Sequence, residues 1–145
     1  FDLAELSEDT VHDYASRYSD RQFEEDMTDG CKITGDKMMI QMAINNLLEN
    51  AIKYTPKEGK IKAVLAKASG SIRLQVIDEG PGIPEEEKAR IFSKFYRIGN
   101  ESTRKAQGTG LGLYLCRKIA RDHNGDIAVT NNLPTGSNFA VIFKT

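Results

Sequence analysis

The sequence predicts an α+β fold: one sheet, mostly antiparallel, covered on one face by helices. Three observations carry this. Residues 41–54 (QMAINNLLENAIKY) repeat apolar side chains with a helical period. Residues 60–68 and 71–78 alternate apolar and polar side chains, and Ser69-Gly70 joins them as a hairpin. Residues 109–123 read as a second helix, and a closing strand pair follows.

Taken in order, residues 1–17 read as a short extended lead and a helix. Leu3, Leu6, Val11, Tyr14 and Ala15 form an irregular apolar stripe, with Ser7 or Asp9 as cap. Residues 22–27 and 31–34 suit two short strands around a turn at Thr28-Asp29-Gly30. Gly35 breaks the chain and Asp36 caps the long helix, which ends at Thr55 because Pro56 expels its predecessor from helical geometry. In the first hairpin Ile61, Ala63 and Leu65 share a face, as do Ile72, Leu74 and Val76. Residues 84–95 (PEEEKARIFSKF) open with proline and three glutamates, which suits a short helix. Residues 97–108 are polar and aperiodic, the composition of a mobile loop over a site. In 109–123, Leu111, Tyr114, Leu115, Lys118, Ile119 and Asp122 trace the turns, with the apolar members facing the sheet, and Asn124-Gly125 is the stop. Residues 127–130 and 137–143 pair around Leu133-Pro134-Thr135-Gly136.

The 145 residues suit one domain with a real core, and 39% apolar with 28% charged residues is ordinary for a globular protein. Twenty basic and 21 acidic residues leave a net charge of −1, so no basic field favours duplex nucleic acid. No apolar run is long enough to cross a bilayer, and no secretory leader is visible. The missing initiator Met suggests a fragment of a longer protein. Cys31 and Cys116 make no metal-binding pair, as expected of buried thiols in a reducing compartment.

Chemistry concentrates in three stretches. On the long helix, Asn50 lies about 40° and Lys53 about 20° from Asn46 at 100° per residue. A narrow stripe of two amides and an ammonium therefore runs beside the apolar arc of Ile40, Ala43, Ile44, Leu47, Leu48, Ala51 and Ile52. An amide oxygen suits Mg²⁺ and an ammonium suits phosphate. Asp78-Glu79-Gly80-Pro81-Gly82-Ile83-Pro84 ends a strand with a carboxylate able to accept from an exocyclic amine or bind a metal. Its glycines let backbone approach a flat ring. Gly108-Thr109-Gly110-Leu111-Gly112-Leu113 opens a helix, where free N–H groups make a phosphate nest. The phosphate-loop pattern GxxxxGK[ST] is absent, and GxGxG after a polar loop is not the dinucleotide fingerprint. Together the parts suit an ATP–Mg²⁺ pocket.

Four of these stretches resemble the boxes of sensor histidine kinases: Asn46 to Pro56 (NLLENAIKYTP) the N box, DEGPGIP at 78–84 the first G box, IFSKFYR at 91–97 the F box, and GTGLGL at 108–113 the second G box. The last glycine box is represented only by Thr135-Gly136-Ser137. The resemblance implies the Bergerat fold of the GHKL superfamily. That fold is a two-layer sandwich of a mixed sheet of about five strands, with helices on one face and a lid between the F and second G boxes. It implies that Asn50 holds Mg²⁺ and that Asn46, Lys53 and Tyr54 line the phosphate and nucleotide side. Asp78 would accept from the adenine amino group, with Gly80, Gly82 and Ile83 in the same wall. Guanine carries a carbonyl at that position and would be refused. Phe92 and Phe95 would anchor the lid, with Phe95 against the nucleotide. Gly108, Thr109, Gly110, Leu111, Gly112 and Leu113 would cradle phosphates. The resemblance implies a catalytic set of Asn46, Lys53 and Arg97, with the guanidinium meeting the γ-phosphate.

Gyrase-like and chaperone relatives carry a glutamate four residues before the metal asparagine, as a base that activates water. Here that position is Asn46, and an amide takes no proton. Glu49 is near but about 60° round the wheel, toward solvent. The nucleophile is therefore expected from elsewhere: a histidine on a dimerisation hairpin of the same parent protein, with a response regulator downstream. His12 lacks the phosphoacceptor pattern, and His123 suits a helix end as a cap or packing group. The domain is expected to be monomeric and cytoplasmic without direct membrane contact, whether or not its parent is anchored in the inner membrane. The competing readings are a degenerate non-catalytic module, a GHKL ATPase and a serine kinase; Asn46 counts against the last two.

Overall fold

A computed structural model describes residues 1–96 and 111–145. Helix α1 (Leu3–Arg17) is followed by strand β1 (Gln22–Met27), helix α2 (Lys37–Tyr54), strands β2 (Lys60–Ala68) and β3 (Ser71–Asp78), helix α3 (Gly112–Asp122), and strands β4 (Gly125–Asn131) and β5 (Ser137–Lys144). The strands form one mixed sheet in the order β1-β2-β3-β5-β4. Only β1 and β2 run parallel; β2–β3, β3–β5 and β4–β5 are antiparallel. The expected α+β sandwich is present.

Alternation decides which face is covered. Ile61, Ala63 and Leu65 on β2, Ile72, Leu74 and Val76 on β3, and Phe139, Val141 and Phe143 on β5 are all buried, while their neighbours are more exposed. Against them pack Leu3, Leu6, Val11 and Tyr14 of α1, the apolar arc of α2, and Cys116, Ile119 and Ala120 of α3. Asp78 occupies the next inward position after Val76, so a carboxylate stands where the pattern calls for a core side chain.

The structure corrects several expectations. Residues 31–34 make no strand, so the early hairpin does not exist. β1 pairs instead with the free edge of β2, Gln22 opposite Lys60 through Met27 opposite Leu65. The backbone of 31–33 serves the chain start: Leu3 N donates to Cys31 O (2.8 Å) and Ile33 N to Phe1 O (3.0 Å). The cap of α1 is Asp2, whose side chain accepts from Ala4 N, whereas Ser7 is buried inside the helix. Residues 84–95 hold only a 3-10 turn at Glu85–Glu87 and further turns. Within this stretch Ile91 and Phe92 are buried. Asp36 caps α2 as expected and Thr55 ends it, but the helix begins at Lys37. In α3 the buried face is Cys116, Ile119 and Ala120, one step round from the expected stripe. Both cysteines are buried free thiols.

Candidate nucleotide site

α2 presents the polar stripe to one side of its buried arc. Asn46 and Asn50 are half-buried, and Lys53 and Tyr54 are exposed. Both helix ends are held. Asp36 Oδ1 accepts from Met38 and Met39 N–H at 3.0 and 3.2 Å. At the other end the Arg21 guanidinium donates to Thr55 O (2.9 Å) and Ile52 O (3.0 Å), two carbonyls the helix cannot satisfy itself. Sequence reasoning missed Arg21, because nothing local marks an arginine that caps a helix more than thirty residues away.

Two contacts bring the predicted segments together. A Cβ added to Gly112 would lie 3.8 Å from the Asn46 side-chain amide, so α3 begins beside the first amide of the stripe. A Cβ on Gly80 would come within 2.8 Å of Tyr54 O, so the segment after β3 runs against the last turn of α2. One helix therefore touches both the strand-end aspartate segment and the start of the glycine-rich helix.

Asp78 is 3% exposed. Its Oδ1 accepts from Gly80 N at 2.9 Å and from Ser137 N at 3.1 Å, which leaves Oδ2 to meet a further donor. Burial pushes its carboxyl above the usual aspartate value, and the two backbone N–H groups oppose the rise. The β4–β5 turn clamps this segment. Thr135 Oγ1 donates to Gly80 O (2.7 Å), and Asn132 Nδ2 donates to Asp78 O (2.9 Å). Gly136 has φ +117°, and a Cβ there would fall 1.8 Å from Asp78 O, so no larger residue fits. Thr135-Gly136-Ser137 thus grips the aspartate backbone. Asn132 carried no sequence signal, since its role depends on the pairing of β3 with β5.

Ile83, Leu111, Gly82, Gly112 and Leu113 are half-buried, and Ile83 and Leu113 lean on the core. Phe92 is buried edge-on against Phe139, with the Arg117 guanidinium 5.4 Å from its ring centre. Phe95 is 63% exposed with φ +65°, beside the Lys94 ammonium, so it does not pack as an anchor. Arg97, Gly108, Thr109 and Gly110 lie outside the described residues.

The two histidines stand differently. His12 Nε2 pairs with Glu25 Oε1 at 2.9 Å. His123 Nε2 accepts from Asp36 N (3.0 Å), which leaves Nδ1 to donate to Ile119 O (2.8 Å); the ring ties the end of α3 to the start of α2. An open cavity of about 520 Å³ between residues 32–35 and 122–124 lies at that end and contains none of the predicted site residues.

The donor set bears on the metal. No cluster of three or more His, Cys, Asp or Glu side chains among the described residues can hold an ion. The half-buried Asn50 amide fits a Mg²⁺ that takes one protein ligand and draws its others from phosphates and water.

Fold and site define an α+β protein with a candidate adenine-nucleotide pocket along one helix. A profile of the histidine kinase-, DNA gyrase B- and HSP90-like ATPases matches residues 35–145. The adaptive-response sensory kinase SasA of Gloeothece citriformis is 44% identical over 108 residues, 74% of this chain and 27% of its own length. The sensor-like histidine kinase SenX3 of Mycolicibacterium smegmatis is 34% identical over 130 residues, 90% of this chain and 34% of its own. The catalytic domain of histidine kinase ThkA superposes with a TM-score of 0.83 at 32% identity, covering 99% of this chain and 95% of that one. The chain belongs to this ATPase family, in its histidine kinase branch. It spans about a quarter to a third of the length of the curated relatives it matches.

Proposed function

We propose that this chain binds ATP with Mg²⁺ and passes the γ-phosphoryl group to a histidine on a separate dimerisation hairpin, in two-component signalling. The observation that carries the reading is the double contact of α2, with Asn46 against Gly112 and Tyr54 against Gly80, beside a buried aspartate that keeps one oxygen for a donor. Asp78 would accept from the adenine amino group and Asn50 would hold the metal, which when bound neutralises charge on the phosphates. Lys53 would meet the phosphates, Gly82 and Ile83 would line the base, and Arg97 with Gly108, Thr109 and Gly110 would close on the γ-phosphate side. Family membership supports ATP as the ligand.

An acceptor supplied from elsewhere is supported by His123, whose two ring nitrogens are engaged within the fold, and by the lack of a phosphoacceptor pattern around His12. One solved neighbour is histidine kinase ThkA in complex with response regulator protein TrrA, which supports a response regulator as the downstream partner. No helix among the described residues is long and apolar enough to cross a membrane. ATP as substrate puts the domain on the cytoplasmic side.

The test has two arms. Affinity for ATP with Mg²⁺ is measured for wild type, Asn50→Asp and Asp78→Asn; we expect Asp78→Asn to bind at least roughly tenfold more weakly, the size of one lost charge-assisted contact, and Asn50→Asp to bind more weakly because its added negative charge faces the phosphates. Labelled γ-phosphate is then followed onto a supplied histidine-bearing hairpin. Rapid free phosphate with no label on histidine would make the chain a hydrolase.

A further inference from the structure

Glu49 is the sole acidic side chain on α2 and precedes Asn50 directly. It is the one carboxylate of this helix that could serve water beside a metal-bound phosphate. Its Oε1 accepts from Tyr14 Oη at 3.0 Å, a contact between residues 35 apart that crosses from α1 to α2. The same hydroxyl lies 3.5 Å from Asn45 O, at the limit of a hydrogen bond, so Glu49 is its principal acceptor. Tyr14 is rigidly held. It is 1% exposed, stacked on Tyr18 with ring centres 6.2 Å apart, and covered by the Arg17 guanidinium 4.3 Å from its ring centre. Burial and the Glu49 carboxylate push its hydroxyl up to about 12, so it remains a donor at physiological pH. A fixed donor thus holds an exposed acceptor on the α1 side of the helix.

We propose that Tyr14 is a positioning residue that holds the Glu49 carboxylate away from the phosphate side of α2, and so keeps bound ATP from being spent on water. The inference rests on the nucleotide reading above and adds to it a reason for slow hydrolysis beyond the amide at Asn46. Released, Glu49 acts as general base. A water oxygen bonds the γ-phosphorus, the bond from that phosphorus to the β–γ bridging oxygen breaks, ADP leaves, and the water proton passes to the carboxylate.

The experiment compares phosphate release from ATP with Mg²⁺ by wild type, Tyr14→Phe, Glu49→Gln and the double variant. ATP affinity and labelling of the supplied hairpin are recorded alongside. Tyr14→Phe keeps the ring and its packing while removing the donor. We expect its phosphate release to rise roughly tenfold or more, within the range a general base supplies, with ATP affinity unchanged. The double variant is expected to return to the wild-type rate, and Glu49→Gln alone to stay there. Loosening of the helix pair without base chemistry would raise release equally in the double variant, and that result overturns the proposal. So does unchanged release from a Tyr14→Phe protein that binds ATP and labels the hairpin. Wild type failing to bind ATP overturns the nucleotide reading and the proposal together.

Discussion

Asp78 sits at an inward position of a central strand, and its energetics follow from that. Its folded pKa is raised above the unfolded value, so the folded state holds this proton more tightly. Its contribution to stability is fully present below the ordinary aspartate range and is lost as pH rises through the folded value. Ligand binding has the opposite sign, because only the ionised carboxylate offers both oxygens as acceptors. We expect ATP affinity to weaken as pH falls through the raised value. Asp78→Asn should leave thermal stability unchanged or slightly higher while binding stays weak at every pH; calorimetric titration across pH with parallel melting curves checks both. The aspartate was legible because a carboxylate closes an alternating strand and Gly-Pro-Gly follows. Its clamp was not. Ser137 comes opposite Asp78 only because β3 and β5 pair with Val76 against Phe139 and Ile77 against Asn138, and local sequence does not state that register.

Among the elements, α2 was the most legible, since its apolar arc, its Asp36 cap and the Thr55-Pro56 stop all agree. The correction at residues 31–34 has a physical cause. β1 is polar along most of its length and none of its residues is buried, so it carries no apolar alternation to point to its partner. The start of α3 has no side-chain cap, so its boundary had no signal beyond glycine. The last turn of α2 depends on Arg21. Arg21→Ala removes two charge-assisted hydrogen bonds from that turn, and we expect a loss of about 1–3 kcal/mol in denaturant unfolding. Weaker ATP binding should accompany it, because Asn50, Lys53 and Tyr54 lie on the turns being frayed. Arg21→Lys should recover part of both, since one ammonium cannot fork across two carbonyls as a guanidinium does.

For the whole molecule, the resemblance to histidine kinase boxes implied a mixed sheet, and the hairpin patterns pointed to a mostly antiparallel one with helices. The order β1-β2-β3-β5-β4 places the last strand inside the sheet and the fourth at its edge, an arrangement no hairpin signal reveals. The parallel ladder closes across all of α2, and the β3–β5 ladder closes across a longer stretch still, with α3 and β4 between its strands. Among the described residues the outer edge of β1 is unpaired, and Glu24, Glu25 and Asp26 follow one another along it. We expect the amides of β1 to exchange with deuterium well before those of β3 and β5, and nucleotide to slow that exchange. Comparable protection of β1 and β3 without nucleotide would contradict this. Arg21 stands immediately before that strand and grips the helix of the nucleotide stripe. A pull on the rim of the sheet would therefore reach the last turn of that helix through one guanidinium.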